Sequence, residues 1–191
     1  IELISKQKYQ EAKLTKVNFF IADTLSFQKD KGKLILPTQN GELTFVDKDS
    51  DGDDRAEYEY AGNVPILNSY LIYCSFYEGF DYTLIDKKDK NKKTSFIGFP
   101  YISPNQKNII ALYSNPYEQT GDVELYKIKA DQSIELQVSL SFRHWMVGYD
   151  TLDDIFFAQD GYLYAPVFHV KRYWNEDGNL AKPNQYFKIK I

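Results

Sequence analysis

The fold is decided most clearly by residues 33–46, which have the sequence KLILPTQNGELTFV. The apolar run from Lys33 to Leu36 and the run from Glu42 to Val46 flank the pair Asn40-Gly41. Asn-Gly favours a tight turn between antiparallel strands, because both residues tolerate positive φ. The stretch therefore predicts a β-hairpin.

Strand and turn patterns continue along the rest of the chain. Residues 56–60, AEYEY, alternate with a period of two, which is typical of a strand with one buried face. Further strand-like runs are LIYCSFY (71–77), YTLI (82–85), TSFI (94–97), NIIALY (108–113), VELYKI (123–128), IELQVSL (134–140), YLY (162–164) and YFKIKI (186–191). The high content of Tyr and Phe agrees with this, because aromatic side chains pack well on pleated surfaces.

These runs predict an all-β chain of antiparallel, blade-like repeats. A strand, a charged turn and a second strand recur at an offset of about forty residues, which is the period of four-stranded propeller blades. We predict a single domain over residues 1–191, with about four β-meander units in residues 31–191. Residues 1–30 form an N-terminal arm or a short helix, for which 3–14 is the candidate, plus a first strand.

Two segments resemble TolB-type propeller repeats. Residues 103–111, SPNQKNIIA, are similar to the S-P-D-G-K-x-I-A signature, with Asn105-Gln106 in place of Asp-Gly. Residues 157–164, FAQDGYLY, keep the Asp160-Gly161 turn but lack the proline. The resemblance implies blades whose loops carry binding surfaces, and no particular activity, because one fold hosts many functions. About four blades are few for a closed ring, so a partial or small propeller and a two-sheet β-sandwich both stay open.

Bulk composition excludes several classes of protein. The 191-residue chain has a net charge of −4, which argues against a nucleic-acid binder with its clustered basic surface. Cys74 is the single cysteine, so no intramolecular disulfide forms, and no apolar stretch approaches the roughly 20 residues that span a bilayer. Because the sequence begins at Ile1, we expect a mature form without its leader or an expression fragment; a lipid anchor on an upstream cysteine is compatible with both.

An acidic loop at residues 47–57, DKDSDGDDRAE, is the sharpest local motif. Its D-x-D-x-D-G spacing resembles the calcium loops of EF-hands, dockerins and FG-GAP propeller repeats. Calcium takes six to eight oxygen ligands, and alternate residues of a tight loop direct carboxylates inward. A structural calcium ion is therefore expected, with these candidate ligands: Asp47, Asp49, Asp51, Asp53 and Glu57.

The acidic loop departs from those families at its closing end. The twelfth position, which is Glu in an EF-hand, is Tyr58, and the ninth position holds Arg55. Since no helices are predicted on either side, an EF-hand is excluded. The alternative interpretation is a solvated acidic turn without metal.

No motif for catalysis is present. The sequence lacks G-x-S-x-G, H-E-x-x-H, a P-loop and G-x-G-x-x-G, and His144 and His169 are each expected to have structural roles. Asp153 and Asp154 are poor candidates for a glycosidase pair, since adjacent residues of a strand point to opposite faces. We therefore name no catalytic residues.

Aromatic and cationic side chains near the C-terminus predict a partner-binding site. Residue types that anchor protein interfaces occur at Arg143, Trp145, Tyr173 and Trp174. Two of them lie in a predicted long loop, residues 171–184, and long loops in compact domains are often functional. The alternative is a loop whose aromatic rings cover the core.

Two interpretations of function follow. The first is a non-catalytic binding or assembly protein of a bacterial envelope; its composition resembles uncharacterised envelope proteins of Bacteroidetes-type bacteria, which implies a periplasmic, outer-membrane-associated or secreted location. Its partner is another protein. The second is a carbohydrate-binding or carbohydrate-active module in which Trp145 and Trp174 stack on sugar. Two carboxylates converging in a cleft favour the second interpretation, and a flat aromatic patch favours the first.

Overall fold

The computed structural model describes residues 1–174 and 182–191, and it is 53% strand and 9% helix. Within those residues the strands form four antiparallel sheets, accompanied by one short α-helix. The all-β, antiparallel prediction is therefore confirmed. In the same part of the chain, no helix has the length and apolar character needed to cross a membrane.

Each predicted strand-like run coincides with a strand of the structure, whereas the short strands at 2–4, 16–17, 101–102 and 145–147 were not predicted. In chain order the elements are β1 (Glu2–Ile4), α1 (Lys6–Lys13), β2 (Lys16–Val17), β3 (Lys33–Thr38), β4 (Gly41–Val46), β5 (Ala56–Val64), β6 (Ser69–Phe76), β7 (Phe80–Asp86), β8 (Lys93–Phe96), β9 (Tyr101–Ile102), β10 (Asn108–Asn115), β11 (Thr120–Ile128), β12 (Ile134–Phe142), β13 (Trp145–Val147), β14 (Phe156–Ala158), β15 (Tyr162–His169) and β16 (Gln185–Lys190). Short 3-10 turns cover Pro65–Leu67, Leu152–Asp154 and Val170–Arg172.

The chain divides into two compact units. The central unit consists of residues 19–98, and the terminal unit combines residues 1–18 with residues 99–191. Each unit contains one four-stranded meander of consecutive strands, β5-β6-β7-β8 in the central unit and β9-β10-β11-β12 in the terminal unit. These two meanders fit the blade-like pattern, but they are two where about four units were predicted; the other described strands form a two-stranded hairpin and a six-stranded sheet.

The central unit is built on the hairpin predicted at residues 33–46. Strands β3 and β4 pair from Lys33 opposite Val46 to Thr38 opposite Gly41, and Gly41 has a φ of 114°, which favours glycine. The hairpin packs on one face of the β5–β8 sheet because the apolar residues of both pieces alternate along their strands. The resulting core contains Leu34, Leu36, Tyr60, Tyr70, Ile72 and Ile85.

The terminal unit adds a second sheet to its meander. In this sheet β16 lies between β1 and β15, β14 joins β15 to β2, and β13 pairs with the far end of β15. The N-terminal segment is both a strand and a helix: residues 2–4 pair with β16, and only residues 6–13 of the predicted 3–14 are helical. Ser5 ends the strand and caps α1, since its side chain accepts a hydrogen bond from Lys8 N at 3.2 Å.

Tyr9 is the buried residue through which helix α1 packs on the sheet. Tyr9 is buried, its ring lies 5.4 Å from Phe156 and 4.5 Å from Tyr186, and its hydroxyl donates to the Asp154 carbonyl at 2.6 Å. Burial, with the nearby Asp154 carboxylate, raises the pKa of Tyr9 well above its ordinary value. The helix therefore docks through a neutral phenol whose polar end is satisfied.

Candidate partner-binding surface

Strand pairing brings Trp145 together with both histidines of the chain. Trp145 lies directly opposite His169 in the β13–β15 ladder, and their rings are 5.7 Å apart in an edge-on arrangement. The His144 ring stacks on His169 at 5.9 Å. His144 is exposed and the other two are half-buried, so all three contribute to one outer surface.

His169 also has the structural role that the sequence analysis expected. Its Nδ1 accepts a hydrogen bond from Lys171 N at 3.2 Å and so caps the 3-10 turn Val170–Arg172. The turn directs the chain from β15 to Tyr173 and Trp174.

The second pair of predicted contact residues follows this turn. The Tyr173 ring lies 5.6 Å from Phe168 and 4.8 Å from Trp174, and burial raises the pKa of its hydroxyl. Trp174 leaves 53% of its surface exposed. Tyr173 therefore covers core, as one of the two earlier interpretations proposed, whereas Trp174 is open to a partner. The rest of the predicted loop, residues 175–181, lies outside the described residues.

Three cations lie within two residues of these rings in the sequence. Arg143, Lys171 and Arg172 are exposed, and none forms an ion pair with a carboxylate in residues 1–174 or 182–191. We call the following set the Trp145 surface: Arg143, His144, Trp145, His169, Lys171, Arg172, Tyr173 and Trp174.

The Trp145 surface contains all four predicted partner-binding residues, but it does not bring them into one ring cluster. Trp145 contacts His169, and Tyr173 contacts Trp174. No ring contact between these two pairs occurs in the described part of the chain. Sequence reasoning missed the histidines and Lys171, because the register that aligns residues 145 and 169 is set by tertiary structure.

Protein cations engage the predicted calcium ligands at both ends of the acidic loop. Asp47 follows β4, accepts from Tyr58 N at 3.0 Å and pairs with Lys29 Nζ at 2.6 Å. Glu57, on β5, pairs with the Arg55 guanidinium at 2.7 Å, and this carboxylate raises the pKa of Arg55. As folded, both carboxylates therefore form ion pairs with cations of the protein.

The middle of the acidic loop is closed by its own polar groups. Asp49, Asp51 and Asp53 are exposed, while Ser50 Oγ donates to Asp54 and accepts from Gly52 N at 3.1 Å. Within residues 1–174 and 182–191, no three His, Cys, Asp or Glu side chains are grouped so that they could hold a metal ion. The calcium site stays a prediction, and as folded the five carboxylates do not converge.

The adjacent acids Asp153 and Asp154 have a structural role. They lie in a 3-10 turn, not in the strand that the sequence pattern indicated, because β14 begins only at Phe156. Asp153 pairs with Lys16 at 2.8 Å and Asp154 with Lys13 at 2.8 Å. Both carboxylates therefore attach the N-terminal segment.

Comparison with known proteins adds no relative. No family model matches the chain, and no curated protein or solved structure matches it either.

Proposed function

We propose that this chain is a non-catalytic binding protein of an extracytoplasmic assembly, and that its Trp145 surface takes an acidic segment of another protein. The observation that carries the proposal is a group of three exposed cations that have no carboxylate partner among the described residues, close in sequence to the exposed Trp174, on a chain whose net charge is −4. Arg and Trp are the residue types that most often anchor interfaces. Opposite charge on the partner would speed and orient the encounter.

The surroundings of the two histidines support binding rather than catalysis. A nucleophile or general base is normally oriented by a hydrogen bond to a hydroxyl, thiol or carboxylate. Neither histidine has such a partner among the described residues, since their contacts are rings and the Lys171 backbone amide. Exposed aromatic rings without a group of convergent acids among the described residues favour the binding interpretation.

One observation favours the carbohydrate alternative, and it lies in the central unit. Glu59 is directly opposite Tyr73, which is directly opposite Tyr82, so the three side chains share one face of the β5–β8 sheet. The rings of Tyr73 and Phe80 are 5.7 Å apart, and those of Tyr73 and Tyr82 are 5.3 Å apart. In such an arrangement the rings can stack on a sugar, and the carboxylate can accept hydrogen bonds from its hydroxyl groups. Titration of soluble oligosaccharides against wild type and Tyr73→Ala tests this second candidate.

The primary proposal is tested with peptides and intrinsic fluorescence, because both tryptophans of the chain belong to the Trp145 surface. The probe is a synthetic peptide of alternating Glu and Phe, and the comparison is a peptide of equal length with Lys in place of Glu. We expect saturable binding of the acidic peptide only. The affinity should fall as salt is added, because exposed charges are screened.

A matched pair of variants separates this surface from general electrostatics. Lys171→Glu should weaken binding by about tenfold or more, which corresponds to roughly 1.4 kcal/mol. Lys107→Glu changes the chain charge equally at another exposed lysine and should leave the affinity unchanged. Equal losses in both variants, or equal binding of the two peptides, would contradict the proposal.

A further inference from the structure

We propose that a second copy of this chain pairs antiparallel with strand β12, with the two-fold axis at Leu140. β12 is the outer strand of the β9–β12 meander, and among the described residues it pairs only with β11. Seven of its nine residues are exposed. The strand therefore presents a row of backbone N–H and C=O groups to solvent, which is a template for another strand.

The outer edge of the β5–β8 meander is covered by another part of the chain, whereas no described segment covers the outer edge of β12. β5 also has nine residues, but Ile21 and Asn63 exchange both backbone hydrogen bonds at 2.9 Å along its outer side. β12 carries neither Lys nor Pro, the residues that usually discourage edge pairing, and its single charge is Glu135. Its apolar side chains Leu136, Val138 and Leu140 are 48%, 42% and 41% exposed.

The sequence of the regular part of β12 is complementary to itself. A bulge at Gln137 divides the strand, since Leu125 lies opposite Val138 and Tyr126 lies opposite Leu136; residues 138–142, VSLSF, form the longer regular part. About a two-fold axis at Leu140, Val138 lies opposite Phe142 of the second copy, and Ser139 lies opposite Ser141. Every apolar side chain then meets an apolar one, and no charge lies in the contact.

The paired strands would also continue an existing apolar row. Leu140 lies directly opposite Val123 of β11, which is buried, so the two side chains share a face. Across the axis Leu140 meets its own copy on that same face. The exposed sides of Val138 and Leu140 would therefore be covered by the second copy.

The geometry favours a closed dimer rather than a growing fibre. The opposite edge of the meander is β9, which has two residues, and both are buried. A two-fold contact uses the same strand on each copy, so the eight-stranded sheet ends at a β9 strand on either side. The contact is smaller than a standard interface of about 20–30 residues a side, so we expect weak association.

Sedimentation or light scattering over a concentration series tests the pairing. We expect the mass to rise from 22.3 kDa towards twice that value between about 10 and about 500 µM, the range expected for a small contact. Leu140→Lys should keep the chain monomeric across the series. Leu25→Lys is the control, since Leu25 is 79% exposed and lies in the central unit. Circular dichroism verifies that both variants are folded.

Cysteine cross-linking tests the register separately. Opposite residues of an antiparallel pair lie about 4.5–5.5 Å apart between Cα atoms, which suits a disulfide. Leu140→Cys should therefore form a covalent dimer under mild oxidation. Leu136→Cys should not, because four residues on each side of the axis separate it from its copy by about 26 Å. Wild type is the second control, since Cys74 is buried.

Three results would overturn the inference. The first is a wild-type chain that stays monomeric at every concentration. The second is a dimer that Leu140→Lys leaves intact, because the contact would then lie on another surface. The third is cross-linking through Leu136→Cys in preference to Leu140→Cys, which would exclude the axis at Leu140.

Discussion

The substitution Gly121→Ala should distort the strand that positions the Trp145 surface. Gly121 lies at the start of β11, where β13 passes close to it. A Cβ atom added there would come closer than 3.0 Å to the Trp145 carbonyl oxygen, a separation that real Cβ atoms essentially never show. It would also lie 3.3 Å from the Trp145 carbonyl carbon and 3.4 Å from Met146 Cα. Every neighbour is backbone, so no side chain can rotate away.

The cost of this substitution follows from the atoms that must move. β13 has to recede by several tenths of an ångström while it stays paired with β15, and overpacking of this kind typically costs about 1–3 kcal/mol. For a chain of this length, a loss of 2 kcal/mol lowers the melting temperature by about 4–8 °C. Because the Trp145 carbonyl itself moves, the ring beside His169 should change its environment.

Two measurements test Gly121→Ala. Thermal unfolding gives the loss of stability, and fluorescence in a Trp174→Phe background reports Trp145 alone. Gly79→Ala is the matched control, since its added Cβ meets nothing within 4 Å and should change stability by less than about 0.5 kcal/mol. Equal melting temperatures for the two variants, with unchanged Trp145 emission, would refute the close approach of β13 to β11.

Three further predictions concern metal, pH and thiol chemistry. If the acidic loop binds calcium, saturating calcium should raise the melting temperature by about 5 °C or more over chelator, and Asp49→Asn should abolish the rise; no rise leaves the solvated turn. Burial raises the pKa of Asp154, but Lys13 and two backbone amides outweigh it, so the pKa is lowered. The stabilisation by the Asp154 carboxylate is therefore present above the unfolded pKa and is lost as the pH falls through the folded pKa. Asp154→Asn should lower the free energy of unfolding by about 1 kcal/mol at neutral pH, and this free energy, measured by urea denaturation, should then fall less steeply towards acid pH. An unchanged acid dependence would exclude a stabilising role of the Asp154 carboxylate. Burial, with Asp81 near it, raises the pKa of Cys74 to about 11, so its alkylation at pH 8 should be far slower in the native chain than in urea, and equal rates would contradict its burial.

The secondary structure could be predicted from sequence because its signals are local. The alternation in residues 56–60 and 134–140 and the Asn40-Gly41 pair each act within a few residues, and the structure has strands at both runs and a hairpin at that pair. The start of the N-terminal helix was harder to predict, because residues 3 and 4 of the predicted helix belong to a strand. Residues 2–4 are a strand only because β16 lies beside them, and no local pattern indicates a partner from the far end of the chain.

The candidate sites depend on contacts that a local pattern does not contain. The D-x-D-x-D-G spacing favours convergent carboxylates, yet Asp47 turns to Lys29, which lies 18 residues earlier in the chain. Residue types alone indicated Trp145 and Trp174, but the role of His169 depends on the register of β13 against β15. Exposure of β12 also could not be inferred, since an alternating pattern such as IELQVSL predicts one buried face. In the described structure both faces of that edge strand are open.

The two proposed contact regions are consecutive in sequence, and this gives the inferred dimer a consequence for binding. Strand β12 ends at Phe142, and Arg143 begins the Trp145 surface. In a dimer with its two-fold axis at Leu140, each Arg143 lies three residues from the axis along its own chain. The two copies of Arg143 are therefore about 20 Å apart, on opposite sides of the axis. One acidic partner with two segments at that spacing could engage both surfaces, and the second contact would then form at a high effective concentration. A bivalent partner would make both contacts only with the dimer, so its binding would shift the monomer–dimer equilibrium towards the dimer. Weak pairing through β12 and weak binding at each Trp145 surface would therefore stabilise each other.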